Sequence, residues 1–290
     1  MEQHAGQLVW FITGTSSGFG KRLVTSVLAR GDLVIATARD LDKLQAIHAG
    51  EERENLRLLQ LDITAGSDAI KRIVDEAVKI WGRIDVLVNN AGNGHLSFVE
   101  EASSDLFRRQ FDTNVFGVMD VTNAALPYMR ERRRGTIVVI GSRSIWRADT
   151  ISGLAPYAAS KAAIHAITEG LSAELAPLNI RVLLVAPGAF RTEKIYSIPF
   201  NERNPIPDYD EMRKSVMAQV AKLPGNEPGD PDKAMEVVAD VVRGEGVAKG
   251  RKWPSMLLLG EDAITTYQRR TGILNETMEE WMDVTKSVGV

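Results

Sequence analysis

Short runs that are apolar at every position alternate with longer stretches that are apolar on one face only, through the first two thirds of the chain. "LVWFIT" leads into a helical pattern over 18–30, and "LVIAT" into one over 41–49. "LRLLQLD" leads into "SDAIKRIVDEAVKIWG", where Ile70, Ile73, Val74 and Val78 share one helix face. "IDVLVNNAG" precedes one long helix over 104–132, "TIVVIGS" a helix over 156–176, and "IRVLLVAPG" ends the alternation. Strands that are apolar throughout have no wet side. The pattern therefore predicts an α/β fold, a doubly wound and mostly parallel sheet of about seven strands with helices on both faces.

After Gly188 the character changes. "IYSIPFNERNPIPDYDE" is proline-rich with little periodicity, which predicts an irregular excursion over 189–230, placed at a strand's carboxyl end where it would cover a ligand. A helix over 232–242, a last strand "MLLLG" (256–260) and a helical tail over 261–290 follow, the tail suiting a lid or a subunit contact. No repeat or linker divides residues 1–290, so a single domain is expected. The net charge of −3 gives no reason to expect nucleic acid or an anionic membrane as partner. The basic run "RERRRG" ends a helical pattern, where positive charge is favourable, and reads as a solvated helix end. The absence of cysteine, of a leader pattern and of any bilayer-length apolar run points to the cytoplasm.

The first turn, "TGTSSGFG" (13–20), sets Gly14, Gly18 and Gly20 between a strand and a helix start. Glycines let the backbone approach a ligand, and the free N–H groups of a helix start attract negative charge, so this turn reads as a pyrophosphate site. Ser16 and Ser17 add hydroxyl donors, and Phe19 stands between the last two glycines. Four more segments follow in order: "NNAG" (89–92), Asn114 in "DTNVFG", "YAASK" (157–161) and "PGAFRT" (187–192). Together with the glycine turn they resemble the short-chain dehydrogenases/reductases, a family with the Rossmann fold, over residues 8–195. "FITGTSSGFG", "FDTNVFG" and "LLLGEDA" look most like its retinoid- and steroid-type carbonyl reductases. The resemblance implies an NAD(P)-dependent oxidoreductase that moves a hydride between nicotinamide and a carbonyl or secondary alcohol. It sets Asp62, Ile63, Asn90, Ala91 and Gly92 along the adenosine side of the cofactor, and Pro187, Gly188 and Thr192 beside its nicotinamide end. It also implies a homodimer or homotetramer, for which the small residues of the helix over 156–176 allow close approach.

The two nicotinamide cofactors are told apart near the end of the second strand, roughly 20 residues past the glycines, where an acid binds the ribose 2′-hydroxyl or an arginine accommodates a 2′-phosphate. In "LVIATARD" the family's acidic position falls on Ala38, and Arg39 follows. NADP(H) is therefore expected over NAD(H), with Arg39 as the phosphate clamp. A register shifted by two places Asp40 there instead, and the sequence leaves both frames open.

Tyr157 and Lys161 are four residues apart and share a helix face. A free phenol, with a reference pKa of about 10, is a poor base, but a neighbouring ammonium favours phenolate and lets Tyr157 exchange a proton with a substrate oxygen. By resemblance Lys161 also holds the nicotinamide ribose, and Asn114 binds a water that links Lys161 to solvent. Two serines compete for the substrate oxygen. Reading forward along "GTIVVIGS" gives Ser142, whereas counting back from Tyr157 by the family's spacing gives Ser144; strand ends move less than loops, which favours Ser142.

His95 is a candidate pocket residue and His165 a helix-packing one, and four scattered histidines supply no metal site. Trp146, Phe190 and Tyr196 are candidates for an apolar wall around the nicotinamide, and Ile195, Tyr196, Ile198 and Phe200 favour a hydrophobic substrate. The rival reading is a catalytically silent NADP-sensing regulator of the same fold, although such proteins usually lose the tyrosine or lysine kept here. A nucleotide-sugar epimerase is set aside because its glycine spacing and longer substrate domain are not seen. The particular substrate does not follow from fold and chemistry.

Overall fold

The computed structural model describes residues 6–49, 53–193 and 198–289. The strands are β1 (Val9–Ile12), β2 (Leu33–Ala38), β3 (Leu56–Gln60), β4 (Val86–Asn89), β5 (Gly135–Ile140), β6 (Ile180–Pro187) and β7 (Met256–Leu259). They form one seven-stranded sheet in the order β3-β2-β1-β4-β5-β6-β7. Every neighbouring pair is parallel. The helices are α1 (Gly18–Ala29), α2 (Leu41–Ile47), α3 (Ser67–Trp81), α4 (Ser104–Phe111), α5 (Gly117–Glu131), α6 (Ala155–Leu175), α7 (Asp210–Val220), α8 (Pro231–Arg243), α9 (Glu261–Glu280) and α10 (Met282–Lys286).

Alternate strand residues feed two cores. Val9, Phe11, Leu33 and Ile35 pack with Ile70 and Val74 of α3, Val121 of α5 and Ile164 of α6. Trp10, Ile12, Val34 and Ala36 pack with Leu23, Val24 and Val27 of α1 and Met235 and Val238 of α8. Both faces of the central strands β1, β2, β4 and β5 are thus dry, which is why these strands are buried at every position, whereas the edge strand β3 carries exposed Arg57 and Gln60. The chain reverses its direction of winding between β1 and β4, so the carboxyl ends of these central strands open the crevice where such sheets hold ligands.

The opposite edge is tied by two buried carboxylates. Asp32 accepts from the Leu8 N–H (2.9 Å), the Trp10 indole N–H (2.8 Å) and, through both oxygens, Arg243 (2.7 Å each). Asp85 accepts from the Val9 N–H (2.9 Å), Arg83 (2.8 Å) and Arg132 (2.8 Å). Arg132 belongs to the basic run expected to be a solvated helix end. It turns inward because Asp85 needs a counter-charge.

Two other expectations change. The long helix over 104–132 is broken by a single π turn, Asp112–Phe116, between α4 and α5. The excursion over 189–230 is not irregular throughout, because it contains α7. That helix is anchored by the buried Arg213, which pairs with the fully buried Glu101 and with Asp210, while the Ile206 N–H also donates to Glu101 (2.8 Å). Phe98, Phe200 and Val216 form a small separate core beneath it. At the other end of the chain, every described residue from Ile273 onward is exposed.

Asp32→Ala removes the acceptor of the Trp10 indole and the Leu8 N–H and the bidentate partner of Arg243, which among the described residues keeps only Glu245, so it is expected to lower unfolding stability by about 3–5 kcal/mol, read as a shift in urea midpoint at unchanged m-value.

Candidate active site

The glycine turn is fixed by the neighbouring strand. Its Thr13 hydroxyl accepts from the N–H groups of Asn90 and Ala91 (3.0 Å each) and donates to the Val88 carbonyl (3.3 Å). The Asn90 amide donates to the Thr13 and Gly14 carbonyls (2.8 and 3.0 Å). A methyl group on Gly14 would stand 2.8 Å from the Ala91 Cα, and one on Gly20 would stand 2.5 Å from the Gly14 carbonyl. These two glycines are therefore demanded by close backbone approach. Ser17 precedes α1 without capping it, and the Gly18 N–H instead donates to the Glu193 carboxylate (2.8 Å). The helix start thus already holds an oxyanion, so its donors fit the pyrophosphate of a dinucleotide. Ser16 is half-buried beside it, and the Phe19 ring packs edge-on against Phe190.

At the next strand Ala38 is the last residue of β2, and Arg39 is exposed at its carboxyl end. The Asp40 carboxylate accepts from the Lys43 N–H (2.9 Å) and caps α2. Asp40 therefore lies past the strand, and its carboxylate is committed to that cap. Asp62 accepts from the N–H and hydroxyl of Thr64 (2.9 and 2.8 Å), and Ile63 is buried beside it. Asp62 also lines a recess with Leu61, Ala65, Ala69, Arg72 and Ile73.

Across the crevice α6 brings up Tyr157 and Lys161. Lys161 is buried, its ammonium donates to the Ile140 carbonyl (2.7 Å), and it lies 5.9 Å from the centre of the Tyr157 ring. Burial pulls the ammonium down to about 8. Burial also pushes the Tyr157 phenol above its ordinary value, partly offset by a hydrogen bond with the Ser142 hydroxyl. Of the two candidate serines, Ser142 is the one that acts on the phenol in this way. The Ser144 hydroxyl is buried with no partner among the described residues, and its N–H donates to the Ser142 oxygen (3.1 Å).

Asn114 sits in the π turn. Its amide donates to the Asn93 carbonyl (2.9 Å) and the Ser160 hydroxyl (3.0 Å), and its oxygen accepts from the Asn93 N–H (3.0 Å). The loop after β4 lies against all of these groups. A methyl on Gly92 would be 3.2 Å from the Asn114 oxygen and 3.6 Å from the Lys161 nitrogen, and one on Gly94 would be 3.2 Å from the Tyr157 ring.

Pro187 ends β6, and the Gly188 N–H donates to the Leu259 carbonyl (2.8 Å). Thr192 lies over Gly18, at 3.7 Å from where its side chain would begin. His165 packs inside the protein as expected, and its Nε2 accepts from the Ser142 N–H (3.1 Å). Trp146 packs on His165 and Tyr267, whereas Phe190 packs on Phe19, so these two rings do not build one wall. His95 is half-buried, with its N–H on Gln110. Ile195 and Tyr196 lie outside the described residues.

Three supports were not singled out from sequence. Asn93 and Ser160 fix Asn114, and Asp262 accepts from the Ala189 N–H (2.9 Å) while pairing with Arg143 (2.8 Å). Asp262 thereby joins the turn after β6 to the turn carrying Ser142. Its only signal was the "LLLGEDA" segment, which carries resemblance but no stated role.

The family model described as short chain dehydrogenase matches residues 8–199, and the chain belongs to that family. It is 34% identical over 235 residues to YusZ, an uncharacterized oxidoreductase of Bacillus subtilis, covering 78% of this chain and 81% of that one. A short-chain dehydrogenase from Streptomyces avermitilis superposes with a TM-score of 0.84 at 33% identity, over 98% of this chain and 100% of that one. ElxO with NADP bound superposes with a TM-score of 0.70 at 25% identity, over 89% and 99% of the two chains. The chain is thus an oxidoreductase of nicotinamide-dependent type.

Burial, and after it the Lys161 charge, lowers His165 from 6.5 to about 4. The unfolded chain therefore binds this proton between those values when the folded chain does not, and the stability this histidine contributes is complete above pH 6.5 and lost as pH falls through 4. The loss is expected to be on the order of 3 kcal/mol. His165→Gln should flatten that part of the stability-against-pH curve relative to the parent, measured by denaturant titration from pH 7 to 4.

Proposed function

We propose that the chain is an NADP(H)-preferring reductase of a carbonyl group on a hydrophobic substrate, running as the dehydrogenase of the secondary alcohol in reverse. The observation that carries this reading is the Tyr157 ring with the buried Lys161 ammonium 5.9 Å from its centre, Ser142 acting to lower the phenol, and the pair set across the crevice from an oxyanion-holding glycine turn. When bound, the nicotinamide cofactor supplies or accepts the hydride.

The chain's own residues handle the oxygen and its proton. Burial keeps the Tyr157 phenol protonated at neutral pH, which suits proton donation to a carbonyl oxygen being reduced. Ser142 holds that oxygen beside the phenol. The Lys161 ammonium steadies the phenolate left behind, being charged at neutral pH and losing its proton as pH rises through about 8. Both amide hydrogens of Asn114 are committed to Asn93 and Ser160 and its oxygen accepts from the Asn93 N–H, so the side chain is held fixed in the π turn. Asn114 is in this sense a positioning residue.

Preference for the phosphorylated cofactor is supported by the exposed Arg39 at the end of β2 and by the commitment of Asp40 to its helix cap. The apolar cluster that Phe200 and Tyr209 of the excursion make with Leu96 and Phe98 supports a hydrophobic substrate. Exposed Phe116 at the end of the π turn and Met119 of α5 support a homo-oligomer, and the absence of cysteine supports a cytoplasmic setting.

Tyr157→Phe is expected to lower kcat/KM for carbonyl reduction by about 10²-fold or more, with NADPH affinity unchanged in a fluorescence titration. Arg39→Ala is expected to raise the Kd for NADPH about tenfold through loss of charged hydrogen bonds. NADH affinity should stay where it was, and equal effects on both cofactors would remove Arg39 from the role of clamp.

A further inference from the structure

We propose that Arg22 is a ligand for the phosphates of the cofactor, and that Glu193 takes their place in the free chain. The inference rests on the dinucleotide reading above and adds two residues that the sequence did not single out.

Arg22 follows Gly18 by one helical turn, and helical side chains lean towards the helix start, so its guanidinium returns to the glycine turn. There it donates to the Gly18 carbonyl (3.1 Å) and to both oxygens of Glu193 (2.9 and 3.1 Å), with a longer contact to Asp232 (3.4 Å). One of those Glu193 oxygens also accepts from the Gly18 N–H (2.8 Å). A single carboxylate therefore gathers a helix-start N–H and a guanidinium, the donor set that a phosphate takes. The Arg22 side chain is only 18% exposed against 47% for Glu193, so the cation is built into the protein and the anion is the removable partner. Burial works against ionisation of Glu193, but the Gly18 N–H and Arg22 hold its carboxyl below the ordinary value, so it carries its charge at neutral pH.

Two anions cannot share one N–H and one guanidinium. Arrival of the pyrophosphate displaces Glu193, and Arg22 passes from the carboxylate to the phosphate. The competing account is that Arg22 merely neutralises Glu193 and never touches the cofactor. The two accounts differ in what happens when both residues are changed.

The experiment is a titration of NADPH, NADH and, as a bare probe, inorganic pyrophosphate into the parent protein, Glu193→Gln, Arg22→Gln and the double variant, with thermal melts of each ligand-free protein. Glu193→Gln is expected to bind NADPH and pyrophosphate about fivefold tighter, although its ligand-free Tm does not rise. The double variant should lose that gain and bind about tenfold more weakly than Glu193→Gln. Equal affinity of Glu193→Gln and the double variant would overturn the role of Arg22, and no gain in Glu193→Gln would overturn the role of Glu193. Failure of all four proteins to bind either dinucleotide would instead overturn the dinucleotide reading itself, and this inference with it.

Discussion

The hydroxyl of Thr13 fixes the distance between the two central strands at the edge where the site is built. By accepting from two successive N–H groups of the loop after β4, it presses that loop against the glycine turn. The rest follows by contact. Ala91 touches Gly14, Gly92 lies against Asn114 and Lys161, and Gly94 lies against the Tyr157 ring. A four-residue span thus carries the position of the anion-holding turn across to the catalytic helix, and each small residue is there because the next group is within van der Waals reach.

The second organising feature is dryness. Lys161 and His165 lie on one side of α6 in surroundings that disfavour charge, and both are pulled down from their ordinary values by burial. Lys161 meets the Ile140 carbonyl rather than a carboxylate, so its charge is held by a dipole and stays available to the phenol. The turn carrying Ser142 is braced from outside by α9, through Arg143 on Asp262 and Arg269 on the Trp146 carbonyl (3.0 Å). The late part of the chain therefore serves the site without entering it.

The sheet was legible because burial on both faces writes itself into the central strands, and the glycine turn and the Tyr157–Lys161 pair were legible because their spacing is local. α7 was not, because its register depends on Arg213 meeting a carboxylate more than a hundred residues away, and a charged residue in a helical stretch reads as solvent-facing. The choice between Ser142 and Ser144 was open because loop length between strand and helix varies freely, and it is Ser142 that acts on the Tyr157 phenol by lowering it. Asp40 gave two frames for β2, and only the cap it makes on α2 shows that it lies beyond the strand. Asn93, Ser160 and Asp262 are ordinary polar residues whose roles exist only in three dimensions.

The π turn between α4 and α5 has a consequence for how this chain tolerates change in length. A π turn is one residue longer than the α turn it replaces, and its local hydrogen bonding is the weaker of the two. Removing a single residue from Asp112–Phe116 would let one uninterrupted helix form, locally better bonded than what it replaced, while rotating Asn114 away from Asn93 and Ser160. Local regularity and a working site thus make opposite demands on the same short segment, and among homologous chains its length should be held more strictly than the identity of the residues around it.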